Sequence, residues 1–323
     1  AIEALHTIQP SIYAKGSDYR SHSADVTGNI AREQAAAEAH GGQVFYTDEI
    51  TFSSTQLLNS YFDIYPAETQ LFLKNFRERH SSGDVIKSLQ ALKKMKVLVI
   101  GDAIVDEYHY CQAMGKSPKE TIVATRYLNE ESFAGGSLAC ANHVASFAGE
   151  VHLVTLLGKK NSREDFIRGH LKPNVKSKFF YTEDSSTVIK RRFVDPAFLS
   201  KMFEVCFLNN NGGVSKELES EICDYLWKTL PKYDAVIVAD YGHGFIGQDI
   251  INVLCEKSKF LAINTQTNSA NIGFNLVTKY PRADLVCIDE PEVRLAMHDR
   301  FGKVENLIHR VSEQLKCNKV VIT

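Results

Sequence analysis

The chain has 323 residues, 44% hydrophobic and 24% charged, a composition that suits a globular protein with more than one core. A net charge of −2 and a pI near 6.6 give no electrostatic basis for binding nucleic acid or an anionic membrane surface. No apolar run approaches the roughly 20 residues needed to cross a bilayer, and Ala1 opens no signal-peptide pattern, so a cytoplasmic location is expected. Seven cysteines (Cys111, Cys140, Cys206, Cys223, Cys255, Cys287 and Cys317) are dispersed without a CxxC, and read as reduced, buried thiols. Eleven histidines without an HxxxH or His/Cys cluster argue against structural zinc.

In chain order, Ser11 to Ala14 is extended and runs into Lys15-Gly16-Ser17-Asp18-Tyr19-Arg20. Asp25-Val26-Thr27-Gly28 leads into an alanine-rich helix to about His40, which Gly41-Gly42 stops. Gln43 to Tyr46 is a strand, followed by Ile50-Thr51-Phe52-Ser53-Ser54-Thr55. Two strands and one helix bury little surface alone, so residues 1–61 read as part of a larger domain. Residues 62–94 read as a helical linker. Pro66 opens one helix with Leu71, Phe72, Leu73 and Phe76 at helical spacing. Ser81-Ser82-Gly83-Asp84 breaks it, and a second helix carries Val85, Ile86, Leu89 and Leu92 on one face. Both helices are expected to dock between the flanking units.

From Lys96 the pattern becomes strand, helix, strand. Strands are predicted at 96–101, 151–156, 234–239, 259–264, 284–288 and 319–323, and helices at 137–148, 163–171, 215–229, 246–257, 290–299 and 304–315. Apolar strands alternating with amphipathic helices predict a parallel sheet covered on both faces. Thr121 to Asn129 and Lys178 to Leu208 break the rhythm and read as longer strands of an antiparallel lid. Gly135-Gly136 lets backbone approach whatever lies above it, Ser137 is the expected N-cap of the next helix, and Gly149 suits a left-handed helix end.

Four segments, VLVIGDAIVDEY (97–108), SPKETIVA (117–124), AGGSLACANHVASFAG (134–149) and VIVADYGHG (236–244), occur in an order and spacing that resemble the ribokinase-like (PfkB) sugar kinases. The nearest resemblance is to the kinase domain of the heptose-7-phosphate kinase/nucleotidyltransferase enzymes, over about residues 95–323. It implies an α/β fold with a parallel sheet, helices on both faces and a small β lid. It also implies ATP and Mg²⁺ as cofactors, phosphorylation of a sugar or sugar phosphate, and a homodimer formed through the lid. Residues 1–61 resemble the C-terminal part of a cytidylyltransferase-like, Rossmann-like nucleotidyltransferase domain, which implies CTP or ATP as a further nucleotide and synthesis of a nucleotide sugar. Lys15, Asp18 and Tyr19 match that family's KGxDY-type segment, and Ser53, Ser54 and Thr55 its hydroxyl-rich loop. A lysine supplies a point charge for phosphate and hydroxyls at a helix start add donors. The bland alternative is a surface lysine and a capping cluster. No HxGH motif is present.

Asp106 follows the first strand, where an open α/β sheet places ligands, and the resemblance gives it, Gly135 and Gly136 the sugar hydroxyls. Ala139 and Cys140 fall near the position of the family's sugar-binding Asn, so Asn142, one turn on, either substitutes for it or caps backbone. Lys190 and Arg192 alternate onto one face of a lid strand, as a substrate phosphate would want, or blunt an edge with charge. Asp240 ends an apolar strand where the resembled kinases carry a DYxKG-like segment, which implies that it faces substrate or phosphate; Asp102 is expected to be structural. Asn264 and Gln266 fall where the family carries Asp and Lys, and Asn264 is assigned to the nucleotide. Asp289 and Glu292 match an NxxE motif that would organise Mg²⁺, while also reading as an acidic helix start. The chain ends at Val320–Thr323 without a GAGD segment, and the family's catalytic Asp would lie beyond Thr323, so no catalytic residue is assigned. Two other classes compete. One is a non-catalytic sugar-binding or scaffold protein of degenerate kinase fold. The other is a nicotinamide-dependent dehydrogenase, since Gly242, Gly244 and Gly247 satisfy GxGxxG, although Asn264 stands where an acidic residue is wanted.

Overall fold

A computed structural model describes residues 1–16, 29–47, 65–208 and 213–323, which divide into two compact units, Ala1–Ser81 and Ser82–Thr323. In the first, a helix absent from the sequence reading, α1 (Ile2–Ile8), precedes β1 (Ile12–Lys15), α2 (Ile30–Glu38) and β2 (Gln43–Tyr46). The strands pair in parallel, Ile12 with Gln43 through Lys15 with Tyr46. Leu5, Ala36 and Ala37 are the buried centre, with Ile2, Tyr13 and Val44 packed around them. Gly41 takes a φ of 78° as the chain leaves α2, the left-handed stop expected there. The helix α3 (Ala67–Arg79) buries none of its residues. Asp18, Tyr19, Ser53, Ser54 and Thr55 lie outside the described residues.

The second unit opens with α4 (Ser82–Ala91), which also buries none of its residues. Seven strands then form one sheet in the order β13-β12-β11-β10-β3-β6-β7. They are β3 (Lys96–Gly101), β6 (Glu150–Gly158), β7 (Val175–Thr182), β10 (Ala235–Asp240), β11 (Leu261–Thr265), β12 (Leu285–Ile288) and β13 (Val320–Ile322), and every neighbouring pair is parallel. Alternation sends β3 to both faces. Val97 and Val99 join Leu138 and Ala141 of α5 (Ser137–Val144) and Ile167 of α6 (Glu164–His170). Leu98 and Ile100 join Ile222 and Leu226 of α7 (Lys216–Thr229), Ile250 of α8 (Gln248–Lys257), Val293 of α9 (Glu290–Ala296) and Leu307 of α10 (Val304–Gln314). Strand order reverses between β3 and β10, so the crevice that an open α/β sheet offers to ligands lies beyond Gly101 and Asp240.

A second sheet of four strands, in the order β5-β4-β8-β9, is the lid. It consists of β4 (Ala103–Lys116), β5 (Val123–Gly136), β8 (Val188–Asp195) and β9 (Ser200–Phe207). The sequence reading differs from it in two places. The strand β4 was not foreseen, because its apolar start reads as more of β3. Residues 175–182, partly assigned to the lid, instead extend the main sheet beside β6. The lid is also not purely antiparallel, since β4 and β8 run the same way.

Two capping expectations are corrected. Gly136, with a φ of 56°, holds the N-cap position of α5, and Ser137 is the first helical residue and is buried. Gly149 is not left-handed; it is there because a Cβ would meet the Lys93 carbonyl oxygen at 2.1 Å. All seven cysteines are free, but only Cys111 and Cys317 are fully buried and Cys206 is exposed. No helix among the described residues is long and apolar enough to cross a membrane.

Candidate functional site

Where the lid meets the main sheet, β4 and β5 pair so that Ile104 lies opposite Gly135 and Asp106 opposite Phe133. Gly135 leaves room for the Asp106 carboxylate, since a Cβ would stand 1.9 Å from Asp106 Oδ2. Asp106, Gly135 and Ala139 of α5 line one depression, together with Tyr108, Tyr110, Phe133 and Ala134. Four residues picked from sequence for sugar contact are therefore treated differently by the fold. Asp106 and Gly135 come together in the depression, and Gly136 supports them from the α5 N-cap. Asn142 does not join them. Its amide donates to the His170 carbonyl at 2.8 Å and its Oδ1 accepts from Lys172 N–H at 2.9 Å, which ties α5 to the turn after α6.

Asp106 also pairs with Arg192 on β8, and Arg192 reaches Glu204 on β9 at 2.8 Å. The guanidinium charge is thus met twice within the lid, which corrects the expectation that Arg192 is available to a substrate phosphate. Lys190, beside Asp106 in the β4–β8 register, differs. It is only 8% exposed, and among the described residues no carboxylate lies within ion-pair distance of its ammonium. On the opposite face of the lid, Glu107 binds Arg163, at the start of α6, and Arg191 at 2.7 Å. Burial works against that carboxylate, yet Arg191 and Arg163 outweigh it and hold Glu107 below its usual range.

At the switch point the fold builds a buried polar network that sequence reasoning missed. Asp240, 1% exposed, accepts from Tyr280 Oη at 2.6 Å, from Lys279 Nζ at 2.6 Å and from Gly242 N–H at 3.1 Å. Its carboxylate is fully engaged, which corrects its assignment to substrate. Asp102 accepts from Tyr241 N–H at 2.9 Å and His243 N–H at 3.4 Å, the structural role expected of it. Burial first, and then the neighbouring Asp240 charge, push Asp102 up to about 7. The Tyr241 carbonyl accepts from Asn268 at 2.7 Å and Asn271 at 2.8 Å. Gly242 has a φ of 69°, and a Cβ there would meet Asn271 Nδ2 at 2.2 Å. This closes the GxGxxG reading: side-chain amides fill the space above the first glycine that a pyrophosphate would need. Burial first, and then Lys190, lower His243 to about 4, so its imidazole is neutral at physiological pH, and among the described residues its buried Nε2 has no hydrogen-bond partner.

The remaining candidates are engaged by the framework. Asn264 donates to the Cys287 carbonyl at 2.7 Å, linking β11 to β12. Asp289 and Glu292 form a reciprocal capping box on α9: Asp289 Oδ1 accepts from Glu292 N–H at 2.8 Å and Glu292 Oε2 from Asp289 N–H at 2.9 Å. Glu292 Oε1 accepts from Thr267 N–H at 2.9 Å, and burial raises its pKa. Both Glu292 oxygens already hold backbone donors, and no three-residue group that could hold a metal occurs among the described residues. The Asp289–Glu292 pair therefore does not fit direct Mg²⁺ ligation. In the first unit Lys15 pairs with Glu33 at 2.6 Å, and Glu33 accepts from Tyr13 Oη at 3.0 Å, so that charge has an internal partner.

No protein-family profile matches the chain. Among curated proteins it is similar to the bifunctional protein HldE of Campylobacter jejuni subsp. jejuni serotype O:2, at 24% identity over 234 residues, covering 72% of this chain and 48% of that protein. The HldE of Shewanella amazonensis is 27% identical over 161 residues, 50% of this chain and 33% of that protein. The chain spans about half the length of curated relatives such as the Campylobacter jejuni HldE. Among solved structures, phosphofructokinase-2 from Escherichia coli in complex with fructose-6-phosphate superposes with a TM-score of 0.54 at 10% identity, over 71% of this chain and 73% of that one. By its seven-stranded parallel sheet and its β lid the chain has a ribokinase-like fold, and in sequence it is similar to the HldE proteins.

Proposed function

We propose that the protein takes part in ATP-dependent phosphorylation of a sugar or sugar phosphate, with Asp106 as the acceptor for sugar hydroxyls. The observation that carries this reading is the joining of Asp106, Gly135 and Ala139 in one depression between the lid and the first turn of α5. A carboxylate beside side-chain-free backbone can bind vicinal hydroxyls closely. Lys190, buried on the Asp106 side of the lid and outside ion-pair distance of any carboxylate among the described residues, is the residue we assign to an anionic group on the substrate. ATP is the proposed phosphoryl donor, as its Mg²⁺ complex.

The first unit is proposed to belong to a sugar-phosphate nucleotidyltransferase domain using CTP or ATP, on the parallel β1–α2–β2 arrangement. A homodimer through the lid is proposed because Phe203, Val205 and Phe207 expose an apolar row on the face of the lid away from Asp106. The proposed location is the cytoplasm, where ATP and sugar phosphates are available.

The test is ADP release from a panel of sugars and sugar phosphates by the protein as its host makes it, with binding measured in parallel. Turnover abolished by Asp106→Ala supports the reading; substrate affinity unchanged by Asp106→Ala refutes the site. Sugar binding with no turnover on any member would favour a degenerate, binding-only protein, a reading consistent with the closed capping box at Asp289 and Glu292.

A further inference from the structure

The depression beneath the lid has few polar groups for a sugar site. Tyr108, Tyr110 and Phe133 supply three aromatic rings, and Ala134 and Ala139 add only methyl groups. Asp106 is the one charged lining residue, and Arg192 already pairs with it. Tyr110 gives its hydroxyl to Glu131 at 2.7 Å. Phe133 stands edge-on to Tyr108, with ring centres 5.7 Å apart and planes at 81°, and remains 50% exposed. The Arg192 guanidinium lies 5.4 Å from the Tyr108 ring centre, which helps to hold that ring in place. The wall can take the C–H face of a sugar ring while the hydroxyls keep their water, since Phe133 is half exposed. A flat apolar substituent would cover more of the three rings than that face alone and adds burial of apolar area.

The strand register separates this wall from the apolar row assigned above to a second copy. Phe133 lies opposite Asp106, whereas Phe203 lies opposite Phe193, which lies beside His109 on the other face of the lid. Phe133 is therefore not a continuation of the outer face.

We propose that the depression selects a sugar bearing a flat hydrophobic substituent, with Phe133 and Tyr108 contacting the substituent while Asp106 and the Gly135 backbone hold the sugar. This rests on the sugar-site reading of Asp106. It makes Phe133 and Tyr108 specificity-determining residues.

Matched methyl and phenyl glycosides of glucose, galactose and mannose test it, by calorimetric titration of the whole chain and of Phe133→Ala, Tyr108→Leu and Asp106→Asn. At least one phenyl glycoside is expected to bind about tenfold tighter than its methyl counterpart. Phe133→Ala should bring the two within about threefold, and Asp106→Asn should weaken both. Phe133 is half exposed, so its removal leaves the fold intact, which circular dichroism checks. Equal affinities in the unaltered protein, or a phenyl advantage that survives both Phe133→Ala and Tyr108→Leu, overturn the proposal. If affinities are equal yet fall with Asp106→Asn, the sugar site stands and the aromatic selectivity falls. If no glycoside binds, the aromatic selectivity falls, and the sugar site is judged on the sugar and sugar-phosphate panel above. If Phe133→Ala dissociates a dimer and leaves the affinity ratio unchanged, the ring belongs to a contact between copies and the proposal is overturned.

Discussion

Asp240 and Asp106 look alike in the sequence, each a carboxylate at or just past the end of an apolar strand, and the fold puts them to opposite uses. Asp240 is sealed at the switch point, with Tyr280, Lys279 and the Gly242 amide satisfying it. Asp106 stands at the mouth of a depression with one lid arginine as partner. A strand end in an open α/β sheet marks where ligands bind, but not which carboxylate is left for them. That depends on whether neighbours distant in sequence complete its hydrogen bonds.

The largest expected effect tests the sealed side. Asp240→Ala leaves Lys279 and the Tyr280 hydroxyl without their buried acceptor, and should cost about 3 kcal/mol or more in urea unfolding. A loss under about 1 kcal/mol would mean that Asp240 is not part of the framework. Next comes Gly135→Ala. The new methyl would overlap Asp106 Oδ2, the end of a flexible side chain, so stability should fall by only about 1 kcal/mol while sugar affinity falls about tenfold or more. Stability and affinity falling together, with a collapsed lid, would erase the contrast between the two regions.

Asp102 sharpens it through pH. Its carboxyl is raised from 3.8 to about 7, so the folded state favours the protonated form. Stability from this group is full below pH 3.8 and is lost as pH rises towards about 7. Asp102→Asn removes that titration, so the fall in thermal midpoint between pH 4 and pH 7 should shrink; an unchanged pH profile would show that Asp102 is ionised throughout. The smallest effect is expected at Asn142. Asn142→Ala removes two hydrogen bonds to residues 170–172 and should cost about 1 kcal/mol, with sugar affinity unchanged. A clear loss of affinity in titration would return Asn142 to the site.

The main sheet was legible from the sequence because period and composition are local. Runs such as Val97–Ile100 and Val236–Ala239 are apolar on both faces, as strands covered on both sides must be, and amphipathic helices separate them. Gly135 and Asp106 were legible as motif members. What remained hidden depends on pairing between distant segments. The strand β4 merges into β3 in any local reading, and only its pairing with β5 and β8 makes it lid. Arg192 reads as a phosphate ligand until Asp106 and Glu204 are found beside it, and Asp240 as a substrate contact until Tyr280 and Lys279 are placed on it. The aromatic wall of Tyr108 and Phe133 has no periodic signal, because its rings sit on two strands brought into register by a hairpin. Local propensity thus determined the sheet and helices of this protein. Which polar groups stay open to a ligand was decided only in three dimensions, since a hydrogen bond is completed by whatever the fold brings within about 3 Å.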